Sequence, residues 1–159
     1  MTESKQLKTL IESFRAKKLT LSFAESCTGG KLSAILTEQA GVSDIFLGSV
    51  VSYSNRGKED LLGVRRDTLL EEGAVSETVA RQMAQGVRKQ FHSDWSVAIT
   101  GIAGPSGGSS AKPVGTVCFA VCGSHFEAAI TKHFTGDRIA IQLAAAEFAM
   151  ELLVDALKK

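Results

Sequence analysis

The sequence predicts an α/β domain built on one mixed, mostly parallel sheet with helices on both faces. Two observations carry that prediction. Amphipathic helices alternate with short apolar, β-branched runs in the order α-β-α-β-α-α-β-β-β-α. The last two strands are joined at Gly123-Ser124, a tight-turn pair that makes a hairpin and so excludes a purely parallel sheet. The scale agrees. A chain of 159 residues suits a single domain spanning 1–159, and it is long enough to bury a core without staples.

Each element has a local cause. Residues 3–18 place Leu7, Leu10, Ile11 and Phe14 on one helical stripe. Leu19 to Ala24 reads as a strand. A helix follows with Leu32, Ile35 and Leu36 on one face, stopped by Gly41. Ile45 to Tyr53 is rich in β-branched and aromatic residues and reads as a second strand. Ser54-Asn55 caps a short helix that runs through Leu62 and stops at Gly63. A second short helix runs Arg66 to Glu72, closed by Gly73, and Ser76 caps a longer one to about Phe91. Trp95 to Thr100 is a strand leading into a loop with four glycines between Gly101 and Gly108. Val114 to Cys122 and His125 to Phe134 form the hairpin. Asp137 caps a terminal helix to Lys158, with Ile141, Ala144, Ala145, Phe148, Leu152 and Ala156 on its buried face.

Composition narrows the function. Eighteen Lys+Arg against 17 Asp+Glu leave a net charge of +1, which argues against nucleic acid as a partner. The longest nearly apolar run is far short of the ~20 residues of a membrane helix. Three cysteines and no apolar leader behind the first residues point to reduced thiols and a cytoplasmic location. No Cys/His cluster has ligand spacing and no paired carboxylates sit at the strand ends, so no metal is expected. Homo-oligomerisation is left open.

Three strand ends carry small polar residues: Ser26-Cys27-Thr28-Gly29-Gly30, Tyr53-Ser54-Asn55, and Thr100-Gly101 with the glycine loop to Gly104 and beyond. If their strands are parallel, the three segments converge, because ligands in such sheets sit outside the carboxyl ends. The first segment is not a P-loop. Glu25 and Leu32 stand where that motif requires Gly and Ser/Thr. It is a strand–turn–helix whose backbone N–H groups suit an oxyanion or a phosphate, or simply a capped helix. Ser26 is a nucleophile candidate, with Cys27 as its competitor. Adjacent strand residues point to opposite sides, so only one of the two faces the site. No histidine falls at these turns, so a lysine is the more economical base, and Lys58 is the best placed. A solvated surface lysine is the ordinary alternative. Arg138 can pair a phosphate bidentately or merely start a helix.

Taken in order, Ala24-Glu25-Ser26-Cys27-Thr28-Gly29-Gly30, Tyr53-Ser54-Asn55 with Lys58, Gly73-Ala74-Val75-Ser76, Gly101-Ile102-Ala103-Gly104-Pro105, Lys112-Pro113-Val114-Gly115-Thr116-Val117 and Phe134-Thr135-Gly136-Asp137-Arg138 resemble the CinA C-terminal domain family, the nicotinamide-nucleotide amidohydrolases. The resemblance runs from about Leu7 to Leu153. It implies a three-layer α/β/α fold and hydrolysis of nicotinamide mononucleotide to nicotinate mononucleotide and ammonia, a reaction that needs no organic cofactor. It implies Ser26 as nucleophile, Lys58 as base and Tyr53 as a pocket wall. Thr28, Gly29, Gly30, Asn55, Thr100, Gly101, Gly104 and Arg138 are then expected to bind the substrate. Many relatives carry an added N-terminal domain, whereas this chain is similar to the stand-alone form. A non-catalytic nucleotide-binding module is the rival expectation. It would need the glycines but not a nucleophile with a base.

Overall fold

The computed structural model describes residues 5–159. The elements are α1 (Lys5–Lys17), β1 (Leu21–Glu25), α2 (Lys31–Thr37), β2 (Phe46–Val51), α3 (Asn55–Leu62), α4 (Arg66–Glu72), α5 (Glu77–Phe91), β3 (Trp95–Gly101), β4 (Thr116–Cys122), β5 (Glu127–His133) and α6 (Arg138–Ala156). The expected start of the first helix, at residues 3 and 4, lies outside the described residues. Its predicted stripe of Leu7, Leu10, Ile11 and Phe14 is the buried face of α1. Among the described residues no helix is long and apolar enough to cross a membrane.

The five strands lie in the order β2-β1-β3-β4-β5. β1 pairs in parallel with both β2 and β3. β4 is antiparallel to β3 and to β5. Every strand but β4 therefore points the same way, which gives a mixed, mostly parallel sheet with a C-terminal hairpin. The hairpin is looser than its Gly-Ser pair suggests. Cys122 pairs with Glu127, and the turn closes through Gly123 N–H donating to Phe126 O at 2.7 Å. His125 and Phe126 thus belong to the turn, not to the strand.

The two sheet faces differ in side-chain size, and this fixes the layers. Phe23, Val97, Ile99, Phe119 and Val121 meet α1, α2 and α6 on one face. On the other, Ala24, Ala98, Cys118, Ala120 and Cys122 meet α5 and the end of α3. Small residues let α5 sit close to the sheet. Ser96 Oγ reaches the Ala84 carbonyl at 2.6 Å, and Ser22 Oγ lies 2.7 Å from Ser93 Oγ. Both hydroxyls are buried and paired, as buried polar groups must be.

Two local departures have physical causes. α2 ends at Thr37, before Gly41, which instead adopts a left-handed conformation at the head of a 3-10 turn over Val42–Asp44. That turn is fastened to α1 by Arg15, which bonds Gly41 O and Asp44. The buried face of α6 keeps Ile141, Ala145 and Ala156 of the expected one but is otherwise rotated: Ala146, Ala149, Met150 and Leu153 are also buried, whereas Ala144, Phe148 and Leu152 are half-buried. α6 is apolar nearly all round, so its periodicity defines no stripe and packing chooses the face. The caps at Ser54, Ser76 and Asp137 each accept a backbone N–H two or three residues into their helix.

Candidate active site

β1 and β2 are parallel neighbours that send their following helices to opposite faces: α2 packs with the large-residue face, α3 with the small. A crevice therefore opens beyond their carboxyl ends. It is a cavity of about 260 Å³ whose lining includes Ser26, Tyr53, Asn55, Lys58, Thr100, Gly101, Gly104 and Arg138. Thr28, Gly29 and Gly30 do not line it.

Ser26 and Cys27 both line this cavity, just past the end of β1. Cys27 also packs into the core, and burial pushes its thiol up to about 12. A thiol held protonated is a poor nucleophile. Ser26 instead meets Lys58, one turn into α3. Lys58 Nζ lies 2.9 Å from Ser26 Oγ and donates to Ser52 O at 2.8 Å. Only 1% of Lys58 is exposed. Burial lowers its ammonium to about 8 from an ordinary value of 10.5, against a smaller upward pull from Cys27.

The turn after Ser26 has a different occupant from the one its glycines suggest. Glu25 is fully buried, and its carboxylate sits at the N-terminus of α2. Oε1 accepts from Thr28 Oγ1 at 2.7 Å and Leu32 N at 2.9 Å, and Oε2 from Ser33 N at 3.1 Å and Ser33 Oγ at 2.7 Å. Gly29 N–H is bound to Ser26 O, and Lys31 N–H to Thr28 O. The free donors of that helix end are thus satisfied from within.

Gly101 lines the other wall. Bonded pairs alternate along an antiparallel ladder, and Ile102 N–H donates to Thr116 O. Gly101, opposite Val117, therefore turns its N–H away from β4 towards the Ser26 turn, where Ser26 N–H donates to Ile99 O. Glycine is required there, because a Cβ would come within 2.8 Å of Val117 Cγ2 and 2.9 Å of Thr116 O.

Arg138 closes the rim. Its Nη1 donates to Gly104 O at 2.6 Å and its Nη2 to Tyr53 Oη at 2.8 Å, so the start of α6 holds the glycine loop and the β2–α3 turn together. Tyr53 is 61% exposed and covers the mouth. Thr100 is buried, its hydroxyl spent on Ala74 O at 2.8 Å. Ala74, Val75 and Ser106 also line the cavity. The sequence reading gave them no role, since small or apolar wall residues carry no chemical signature; only the place of Ala74-Val75 between two glycine- and serine-marked helix ends hinted at them. The charged groups on the wall are cationic, Lys58 and Arg138. The arrangement can activate a hydroxyl, hold a developing oxyanion and attract an anionic ligand.

Comparison with known proteins shows the family and the fold. The family model described as the CinA C-terminal domain matches residues 3–157. A CinA-like protein of Fervidobacterium nodosum is 51% identical over 134 residues, 84% of this chain and 33% of the relative. One from Thermotoga neapolitana is 43% identical over 159 residues, 100% of this chain and 39% of the relative. The chain thus spans about a third of the length of these curated relatives. Among solved structures, a competence-damaged protein (CinA) superfamily protein of Klebsiella pneumoniae superposes with a TM-score of 0.93 at 36% identity, covering 97% of this chain and 96% of that one. The competence/damage inducible protein CihA of Agrobacterium tumefaciens gives 0.93 at 39%, covering 98% and 94%.

Proposed function

The chain belongs to the CinA C-terminal domain family, and on that premise we propose that it hydrolyses the carboxamide of nicotinamide mononucleotide to nicotinate mononucleotide and ammonia. The observation that carries the reading is the buried Lys58 amine 2.9 Å from the Ser26 hydroxyl. A module that only bound a nucleotide would have no use for a desolvated lysine on a serine.

The steps follow from the geometry. In the neutral form Lys58 keeps one hydrogen on Ser52 O and turns its lone pair to the Ser26 hydroxyl. Ser26 Oγ attacks the carboxamide carbon as its proton passes to Lys58 Nζ. The oxyanion forms against the Gly101 N–H; a preorganised donor of this kind contributes about 2.7–4 kcal/mol in known enzymes. The α2 N-terminus is not available for it, because Glu25 fills that position. Lys58 then gives its proton to the departing ammonia. Water attacks the acyl-enzyme, with Lys58 as base once more, and releases the carboxylate. Arg138 and the glycine loop offer the cationic edge that the substrate phosphate needs.

The test is ammonia release from nicotinamide mononucleotide, run with and without EDTA. Ser26→Ala should abolish turnover while substrate binding stays measurable by calorimetry. Near-wild-type turnover in that variant would remove Ser26 as nucleophile.

A further inference from the structure

We infer that Glu25 is a positioning residue for the Ser26 acyl-transfer step: its buried carboxylate ties the turn behind the nucleophile to α2 and so holds Ser26 Oγ against Lys58. The inference rests on the serine–lysine reading above. Glu25 is the last residue of β1 and Ser26 the first of the turn that follows, so the side chain that bears the hydroxyl and the one that braces the turn are chain neighbours. The carboxylate accepts four hydrogen bonds, spanning three residues to Thr28, seven to Leu32 and eight to Ser33. Ser26 itself is fixed by Ser26 N–H donating to Ile99 O and Gly29 N–H donating to Ser26 O, both 3.0 Å. The second of these bonds exists only while the turn keeps its shape. Thr28 and Ser33 could cap a helix without any carboxylate. A fully buried anion beside the reacting residue is costly, and a bridge held by four donors is what offsets it. Glu25→Gln keeps the volume but turns an NH₂ towards one backbone N–H and one hydroxyl; the hydroxyl can rotate to accept, so one of the four bonds becomes donor against donor and the charge is lost. A displacement of Ser26 of the order of 1 Å costs about 10²-fold in rate.

The experiment separates this role from a purely structural one by using a probe independent of the nucleotide. With p-nitrophenyl acetate, Ser26 Oγ forms the ester bond, p-nitrophenolate leaves with the electron pair, and the serine proton goes to Lys58. Acetylation is followed by intact mass and by p-nitrophenolate absorbance, with Ser26→Ala as control. Folded Glu25→Gln, checked by circular dichroism well below its Tm, should be acetylated roughly 10- to 100-fold more slowly, with kcat for the nucleotide falling in step and KM within about threefold. If Glu25→Gln does not fold, Thr28→Val and Ser33→Ala, which remove one bond to Glu25 each (Ser33→Ala also the bond to Ser49 Oγ), carry the test: each should slow acetylation and the double variant more so. Folded Glu25→Gln, or the folded double variant, acetylated within twofold of wild type overturns the inference while leaving the serine–lysine reading intact. A wild type that is not acetylated at Ser26 overturns both.

Discussion

At the scale of single residues, Lys58 sets the chemistry and its cost. Held near 8, it is partly neutral at physiological pH, and only the neutral amine can accept the Ser26 proton. The rate should therefore climb about tenfold per pH unit below about 8 and level off above it; a kcat/KM profile flat from pH 6 to 9 would exclude Lys58 as the base. The same depression has a stability sign. The folded value lies below the unfolded one, so between about 8 and 10.5 the unfolded chain binds more protons and stability rises with pH. The contribution is present above 10.5 and lost as pH falls through about 8, and it amounts to roughly 3 kcal/mol at 1.36 kcal/mol per unit. Lys58→Met removes the buried charge and keeps the volume. It should raise Tm near neutral pH while abolishing turnover, and its advantage in urea melts should shrink towards pH 10. The serine–cysteine choice is decided at this scale too: both line the cavity, but burial holds the Cys27 thiol protonated, whereas Ser26 Oγ lies against Lys58 Nζ.

At the scale of elements, the contrast between the two sheet faces governs how closely helices approach. α5 packs on alanine, serine and cysteine, and its Gly86 meets the C-terminal end of α3. Replacing a mid-helix glycine by alanine ordinarily stabilises by about 1 kcal/mol. Here an added Cβ would overlap the Leu62 carbonyl oxygen, backbone that cannot yield without moving α3. Gly86→Ala should therefore lower stability by roughly 1–3 kcal/mol, the reverse of the propensity expectation, as read from chemical denaturation. Because Lys58 stands on α3, the same variant should also slow turnover. α2 shows the complementary case. Its glycine-rich start looks from sequence like an open anion cradle, but the residue that ends β1 supplies the anion.

At the scale of the whole molecule, the site exists because parallel β1, β2 and β3 end side by side and α6 returns across them. Arg138 joins Gly104 to Tyr53, segments far apart in the chain. Arg138→Ala should raise KM for the nucleotide about tenfold, with kcat within about threefold, in steady-state ammonia release. An unchanged KM would place the phosphate elsewhere. Element order, the hairpin, the α1 stripe and the serine, threonine and aspartate caps were legible in the sequence because each depends on residues within a turn or two of one another. So was the short list around Ser26, Tyr53, Lys58 and Arg138, through the order of its motifs. The α6 face was legible only in part, at Ile141, Ala145 and Ala156, since a helix apolar nearly all round defines no clear stripe. The role of Glu25 was not legible, since its partners are donors that any helix start provides. The sequence by itself determined the elements, the caps and the residues eligible for chemistry, because periodicity and local hydrogen bonding act over short separations. Only the tertiary structure decided that Ser26 rather than Cys27 meets Lys58, that this lysine is buried, and that the α2 N-terminus is already filled. Those outcomes depend on desolvation and on distances between residues tens of positions apart, which local pattern does not encode.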